Sequence, residues 1–437
     1  MTPDARLQAA IELLDEVDES NRQKGLPVDE LIRGYFRKRR YAGSKDRRAV
    51  RALLFDMLRD WGRARWLAEA VHLPPVARSH ALGFAVLNGQ GLIDLFGAST
   101  YGPHRLDIDE MTAVGRMDAA RATLPDYAVQ NVPEDVFQAL CERYGDALET
   151  VLPAPNERAP LTLRTNENTT QADTLLGLIE EAGHAAILGA YALGAVVLPQ
   201  AYEVKQMSWV EDGLAEVQDE ASQLCALMVS PPPGSTVVDL CAGAGGKALA
   251  IAARHPKVKV VACDVSEKRL AELKLRAERA KLDNIDVITL PSAYPNQDAP
   301  DLAKIAGAAH WVLVDAPCGS SGTWRRHPAL RYRYSVEDIQ GFAQKQLSLA
   351  RAGVSLLRQG GRLTFATCSI LPQEGEGVLS ALLSQENGLS PIAYEALLSG
   401  CVKKMPDTLS NIKEWLLLSP PMHDCDGFFC GTMRFQQ

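Results

Sequence analysis

Long apolar runs are missing from this chain. No stretch approaches the roughly 18 consecutive apolar residues that a membrane span requires, and Met1-Thr-Pro-Asp-Ala-Arg6 lacks the basic-then-apolar layout of a secretory leader. Cysteine is sparse and irregular. The nine thiols are an odd number without regular spacing, which argues for reduced residues rather than a disulfide framework. No metal-ligand spacing is present either, so no metal is expected. Internal repeats and low-complexity tracts are absent, which excludes solenoids and long disordered tails. An excess of positive charge is absent too: the net charge of −8 argues against indiscriminate binding to nucleic acid. The expectation is a cytoplasmic, monomeric globular protein with no membrane partner.

What is present is ordinary in bulk and uneven in detail. A hydrophobic fraction of 46% and a charged fraction of 23% suit a soluble fold, and 437 residues suffice for two or three domains with separate cores. Between residues 33 and 51, Arg33, Arg37, Lys38, Arg39, Arg40, Lys45, Arg47, Arg48 and Arg51 face a single acid, Asp46. Such a patch is a phosphate footprint or a solvated helix face.

The apolar spacing divides the chain in three. Residues 1–150 read as helical, with turns at Gly43-Ser44, Pro74-Pro75 and Gly102-Pro103. After Leu152-Pro-Ala-Pro-Asn156, residues 155–205 read as a small α+β unit: a strand at Leu161–Arg164, a helix over Thr170–Ala182, and strands near Ala185–Leu188 and Ala195–Leu198. Residues 206–437 alternate strand and helix, which implies a parallel sheet covered on both faces. Its strands fit Thr236–Leu240, Lys259–Asp264, Asp286–Leu290, Trp311–Asp315 and Arg362–Thr367, with a last strand at Gly427–Phe435.

Three segments carry chemistry. Asp239-Leu-Cys-Ala-Gly-Ala-Gly-Gly-Lys247 ends one strand in a glycine turn that lets backbone approach a ligand, and the helix after it points free N–H groups outward. Asp264 ends the next strand, where an acid can accept ribose hydroxyls. By itself this fits a methyl-donor or nicotinamide nucleotide, or a purely structural turn. Asp315-Ala-Pro-Cys318 and Ala366-Thr-Cys368 each place a thiol just beyond a strand. If their strands flank the glycine-turn strand, both thiols line one crevice, with Lys247, Arg325, Arg326 and His327 as sources of positive field. Arg325, Arg326, Arg331 and Arg333 also interleave with Trp324, Tyr332 and Tyr334, a mixture suited to phosphates and unstacked bases, or to surface cations over packed aromatics.

Asp315-Ala-Pro-Cys-Gly-Ser-Ser-Gly-Thr-Trp-Arg-Arg-His-Pro328, Ala366-Thr-Cys-Ser-Ile370 followed by Glu374 and Glu376, the Cys241–Lys247 loop and Asp426-Gly-Phe-Phe429 together resemble the motifs of the RsmB/Sun-type RNA (cytosine-5) methyltransferases, in the family's order. The resemblance implies an α/β, Rossmann-like class I methyltransferase domain that uses S-adenosylmethionine (SAM). It implies a NusB-like all-helical domain before it, carried mainly by Arg39-Arg-Tyr-Ala-Gly-Ser-Lys-Asp-Arg47, and a small RNA-recognition-like α+β subdomain between them. It makes Cys368 the nucleophile and Cys318 the residue that assists release, with Asp315 and Lys247 on the base. Cys241, Ala242, Gly243, Ala244, Gly245, Gly246, Lys247, Asp264 and Asp315 become cofactor contacts, and Ser292 takes the position after the third strand where the family usually has an acid. Arg39, Arg40, Lys45, Arg47, Arg325 and Arg326 become RNA contacts. The loop departs from the family's usual Cys-Ala-Ala-Pro-Gly-Gly-Lys, and Ala248 replaces a frequent Thr. The substrate implied is 16S rRNA, with transfer RNA as the alternative. A catalytically degenerate RNA-binding or assembly factor and a nicotinamide-dependent oxidoreductase are the competing classes.

Overall fold

A computed structural model of the chain describes all residues except 155–156, 200–206, 292–299, 411, 413 and 437. The backbone divides into two compact units. One comprises Met1–Gly145, Ala154–Arg158 and Trp324–Val336; the other comprises Asp146–Pro153, Ala159–Thr323 and Glu337–Gln437.

The first unit is helical. Its main helices are α1 (Pro3–Arg22), α2 (Val28–Lys38), α3 (Ser44–Arg59), α4 (Trp61–Ala70), α5 (Ala77–Asn88), α6 (Ile108–Arg121) and α7 (Glu134–Tyr144). Leu7, Ala10, Leu14 and Val17 recur at helical spacing along α1 and are buried together with Leu54 and Leu58 of α3, Leu67 of α4 and Leu82 of α5. Asp107 caps α6 in a reciprocal capping box with Glu110, which satisfies two otherwise orphaned backbone donors. Trp324–Val336 lies in the same unit although it follows the strand bearing Cys318. Ala329 is buried in the helical core, the Asn21 side-chain amide donates to its carbonyl, and the Tyr332 ring lies 5.4 Å from that of Trp61.

The second unit contains two sheets. The smaller has the order β2 (Ile187–Leu188), β3 (Ala195–Leu198), β1 (Leu161–Thr165), β4 (Ala215–Val217), all antiparallel, with α8 (Ala172–Glu181) between β1 and β2 in sequence. Its core includes Leu163, Leu175, Ile179, Val196, Trp209 and Ala215. Past the expected boundary at residue 206, Met207, Trp209 and Val210 pack into the small core and Val217 pairs with Leu163 in its sheet. β4 is three residues long, too short for its alternation to register as a strand in the sequence. α9 (Glu220–Leu227), capped by Asp219, then leads into the larger sheet.

That sheet has the order β10 (Leu389–Ile392), β12 (Phe428–Phe435), β9 (Leu357–Thr367), β8 (Ala309–Asp315), β5 (Thr236–Asp239), β6 (Lys259–Asp264), β7 (Ile285–Thr289), with β11 (Leu416–Leu418) paired to β12. The pairs from β9 through β7 are parallel, as their continuous apolar runs imply for strands covered on both faces. The β12 pairings with β9, β10 and β11 are antiparallel, so the sheet is mixed rather than wholly parallel. The chain runs outward through β5, β6 and β7 and returns to β8 on the other side of β5. The β5/β8 junction is thus a topological switch point, where open α/β sheets bind ligands beyond the strand ends. Helices α10 (Gly246–Arg254), α11 (Glu267–Arg279), α12 (Val336–Leu356) and α13 (Glu376–Gln385) follow β5, β6, β8 and β9 in turn.

Candidate active site

β5, β8 and β9 are neighbours, and each ends in one of the chemistry-bearing segments. The thiol strands do not flank the glycine-turn strand as the sequence reading supposed: β8 adjoins β5, and β9 lies beyond β8 on the same side, yet both loops open at the same sheet edge. Cys318 lies three residues beyond Asp315, the last of β8, and Cys368 directly follows β9. Their sulfurs are 3.4 Å apart and half-buried.

The glycine turn has a steric reason for its composition. Gly245, the N-cap of α10, has φ +90°, and a Cβ there would lie 2.5 Å from Leu273 Cγ, so a side chain is excluded twice over. Asp264 Oδ2 accepts from the Gly243 N–H at 2.8 Å and Oδ1 accepts from the Ser266 N–H at 2.8 Å, which pins the turn to the end of β6. Ala244 is held from the other side, its carbonyl accepting from Arg276 at 2.6 Å. The Cys241 thiol is pushed well above its ordinary range by burial and by the surrounding carboxylates, so it stays neutral.

Lys247 is buried, with Nζ 2.7 Å from Asp315 Oδ2 and 4.5 Å from the centre of the Phe428 ring. Burial disfavours its charge, but Asp315 more than compensates and keeps it an ammonium. Asp239, at the end of β5, was not among the expected site residues. It is 1% exposed, and neither carboxyl oxygen makes a hydrogen bond of ordinary geometry among the described residues. Burial, then repulsion from Asp315, raises its pKa to about 7, while Lys247 and the Cys241 N–H act in the opposite direction. Its only signal in the sequence is an acid closing a strand just before the glycine turn.

The two thiols are electrostatically unequal. A hydrogen bond from Cys318 lowers the Cys368 pKa, burial opposes this, and Ser320 Oγ, 3.6 Å from Cys368 Sγ, adds to the lowering. Cys318 is raised for the reciprocal reason, by its bond to Cys368 first and by burial second. Cys368 is therefore the better thiolate of the pair, and Cys318 the better proton carrier.

Behind the thiols lies a buried polar network. Glu374 accepts from the Gly319 N–H at 2.7 Å, from Ser369 Oγ at 2.7 Å and from Gln346 Nε2 at 3.2 Å. Ser369 Oγ is 2.9 Å from Ser321 Oγ, which accepts from the Ile370 N–H.

Several expected residues lie elsewhere. Arg325 belongs to the helical unit, is 1% exposed and pairs with Glu157 at 3.0 Å. It is a buried structural cation rather than a phosphate contact. Trp324 is buried, as a packed aromatic, but Arg331 is buried too and donates to the Gln130 carbonyl, so it is not the surface cation of the alternative reading. Arg326 is half-buried. In the N-terminal patch Arg39 stacks on Tyr35 and pairs with Glu12, and Arg47 donates to the Ala42 carbonyl, while Arg40 and Lys45 are exposed. Ser292 lies outside the described residues. Among the described residues no group of His, Cys, Asp or Glu is arranged to hold a metal ion, and no helix is long and apolar enough to cross a membrane.

The comparisons with known proteins agree with this layout. Residues 226–434 match the family model of the 16S rRNA methyltransferase RsmB/F, and residues 132–205 match that of the RsmF/B-like ferredoxin-like domain. Ribosomal RNA small subunit methyltransferase B of Proteus mirabilis is 33% identical over 252 residues, 58% of each chain. The match thus spans 58% of that relative's length. Among solved structures, that of PH0851 superposes with a TM-score of 0.74 at 22% identity, over 100% of this chain and 99% of the other. NSun6 from Pyrococcus horikoshii superposes with a TM-score of 0.61 at 15% identity, over 71% and 100%. The methyl donor of such a family fits the turn: glycines leave the backbone open, the start of α10 offers N–H groups, and Asp239 presents an unsatisfied buried carboxyl. Over residues 132–205 and 226–434 the chain belongs to the RsmB/F methyltransferase family.

Proposed function

We propose that the protein methylates carbon 5 of a cytosine in RNA, with SAM as donor and 16S ribosomal RNA as the substrate. The observation that carries this reading is the pair of thiols 3.4 Å apart at the ends of adjacent strands, beside the glycine turn. The family description and the name of the Proteus mirabilis relative support the choice of ribosomal RNA.

Carbon 5 of cytosine is too weak a nucleophile to take a methyl group directly. Addition of the Cys368 thiolate to carbon 6 makes an enamine whose carbon 5 can attack, which divides one difficult step into easier ones. SAM, when bound, supplies an electrophilic methyl group. In this reading Asp315 and Lys247 hold the polar edge of the base, and Asp315 keeps Lys247 an ammonium. After transfer the carbon 5 proton must leave and Cys368 must be expelled. In this reading Cys318, the more basic of the two sulfurs, serves this release. The start of α10, Asp264 and the Cys241–Gly246 turn would hold the cofactor, and the exposed Arg40 and Lys45 would meet phosphates. A base inside a helix cannot reach the thiol, so the target is a loop or a flipped nucleotide.

The test is methyl transfer from labelled SAM to unmodified 16S rRNA, with bisulfite sequencing of total RNA from cells with and without the protein. One cytosine is expected to lose its protection when the protein is absent. Cys368→Ala is expected to lose both methylation and the covalent adduct, and Cys318→Ala to accumulate the adduct. A Cys368→Ala protein that still forms the adduct would reverse the assignment. Absence of methyl transfer to any RNA would overturn the activity itself.

A further inference from the structure

Glu374 is fully buried, and its carboxylate belongs to neither the glycine turn nor the thiol pair. Burying a carboxylate is costly unless its acceptor sites are occupied. Here three donors occupy them, and two come from residues next to the thiols. The Gly319 N–H follows Cys318 in sequence and the Ser369 hydroxyl follows Cys368; each lies 2.7 Å from the carboxylate. The third donor, Gln346 of α12, also donates to the Pro317 carbonyl on the other side of Cys318.

We infer that Glu374 is a positioning residue that sets the separation and relative acidity of Cys318 and Cys368 by clamping the residue after each. The two thiol loops leave different strands; past Asp315 and Ala366 the Ala316 N–H donates to the Ala366 carbonyl at 2.9 Å and the Gly322 N–H to the Cys368 carbonyl at 3.0 Å, which leaves the residue directly after each thiol to be fixed by side chains. One carboxylate group gripping both loops fixes them directly. The clamp also acts on Ser320, which lies between Gly319 and Ser321 with φ +58°, in the left-handed region that a serine adopts at a cost. With Gly319 held by Glu374 and Ser321 bonded to Ser369, Ser320 keeps this conformation and its hydroxyl stays 3.6 Å from Cys368 Sγ. The Thr367 hydroxyl donates to the Glu374 carbonyl at 2.9 Å, which fastens the clamp to the end of β9. Charge on Glu374 is disfavoured by burial and favoured by its donors. Its effect on the thiols in this account comes from its span and its acceptor atoms.

This inference rests on the thiol assignments of the proposed function, but its first readout needs no RNA. Glu374→Asp keeps the carboxylate and shortens the reach by one methylene. Glu374→Gln keeps the span; its oxygen can accept from Gly319 and Gln346 while its amide donates to Ser369. Site-resolved alkylation of Cys368 across pH is measured by mass spectrometry on the folded proteins, with thermal unfolding alongside. In Glu374→Asp the Cys318 and Ser320 hydrogen bonds that lower Cys368 are loosened, so the midpoint is expected to move to higher pH; in Glu374→Gln it is expected to stay near the parent value. With RNA and SAM, Glu374→Asp is expected to lose on the order of 10- to 100-fold in kcat, with little change in KM for SAM, and Glu374→Gln to retain turnover. An unchanged Cys368 profile in a folded Glu374→Asp protein would overturn the inference. A midpoint shift in Glu374→Gln as large as in Glu374→Asp would also overturn it, since charge rather than span would then be the cause. If the parent transfers no methyl group, the alkylation profiles still decide the clamp.

Discussion

Asp239 shows how a single buried group can set conditions for the whole site. Its carboxyl is held neutral to about pH 7 by burial and by Asp315, against an ordinary value of 3.8. A carboxyl whose folded pKa lies above its unfolded pKa penalises folding. The penalty is absent below the unfolded value, grows between the two, and is complete above the folded one. Asp239→Asn is therefore expected to raise the melting temperature at pH 8, by on the order of 1–3 kcal/mol in stability, and to have little effect near pH 4. Thermal unfolding of both proteins across that range checks the sign; equal effects at both pH values would remove the charge as the cause. The same scale separates the two thiols. Both were legible in the sequence as strand-end cysteines, but which is the better thiolate depends on a hydrogen bond between residues 50 apart.

Among the elements, the turn from β5 into α10 was the most readable, because its glycines are demanded locally by backbone conformation. Gly245→Ala would force a Cβ into Leu273 at φ +90° and is expected to cost about 1–3 kcal/mol in stability, with weakened SAM binding by calorimetry. Gly246→Ala is the control. It has no positive φ, and its Cβ would meet only the Gln218 amide at 3.7 Å, so its stability should stay within about 0.5 kcal/mol of the parent. The long strands were also legible: Lys259–Asp264 has the bounds its apolar run implies. The short edge strands were not. β10 and β11, of four and three residues, have too few alternations to be told from loop, and their pairing to β12 is a property of the partner strand. Glu374 was visible as part of a motif, but its bonds to Gly319 and Gln346 cross 55 and 28 residues of sequence, so local pattern could not show its role.

For the molecule as a whole, the segment Trp324–Val336 is the largest departure from the sequence reading. Its alternating arginines and aromatics suit an RNA surface, yet Trp324, Arg325 and Arg331 are buried within the helical unit. The segment is held by residues far away in sequence: Asn21 donates to the Ala329 carbonyl, Trp61 packs near Tyr332, Gln130 accepts from Arg331 and Glu157 pairs with Arg325. A chain lacking residues 1–145 would leave Arg331 and Tyr332 without these partners. Such a protein is expected to melt earlier than the parent and to be cut by trypsin within residues 324–336 under conditions where the full chain resists. Equal resistance would show that the segment is held by something else.

The sequence by itself determined the alternating strand–helix architecture, the glycine turn, the strand-end thiols and the family resemblance, because each depends on neighbours within a few residues or on an ordered set of motifs. Only the tertiary structure decided that β8 lies between β5 and β9, that Cys318 and Cys368 come within 3.4 Å, and that Asp239 and Arg325 are buried. These depend on strand order and on burial. Both are set by contacts between residues tens to hundreds of positions apart, which no local spacing encodes.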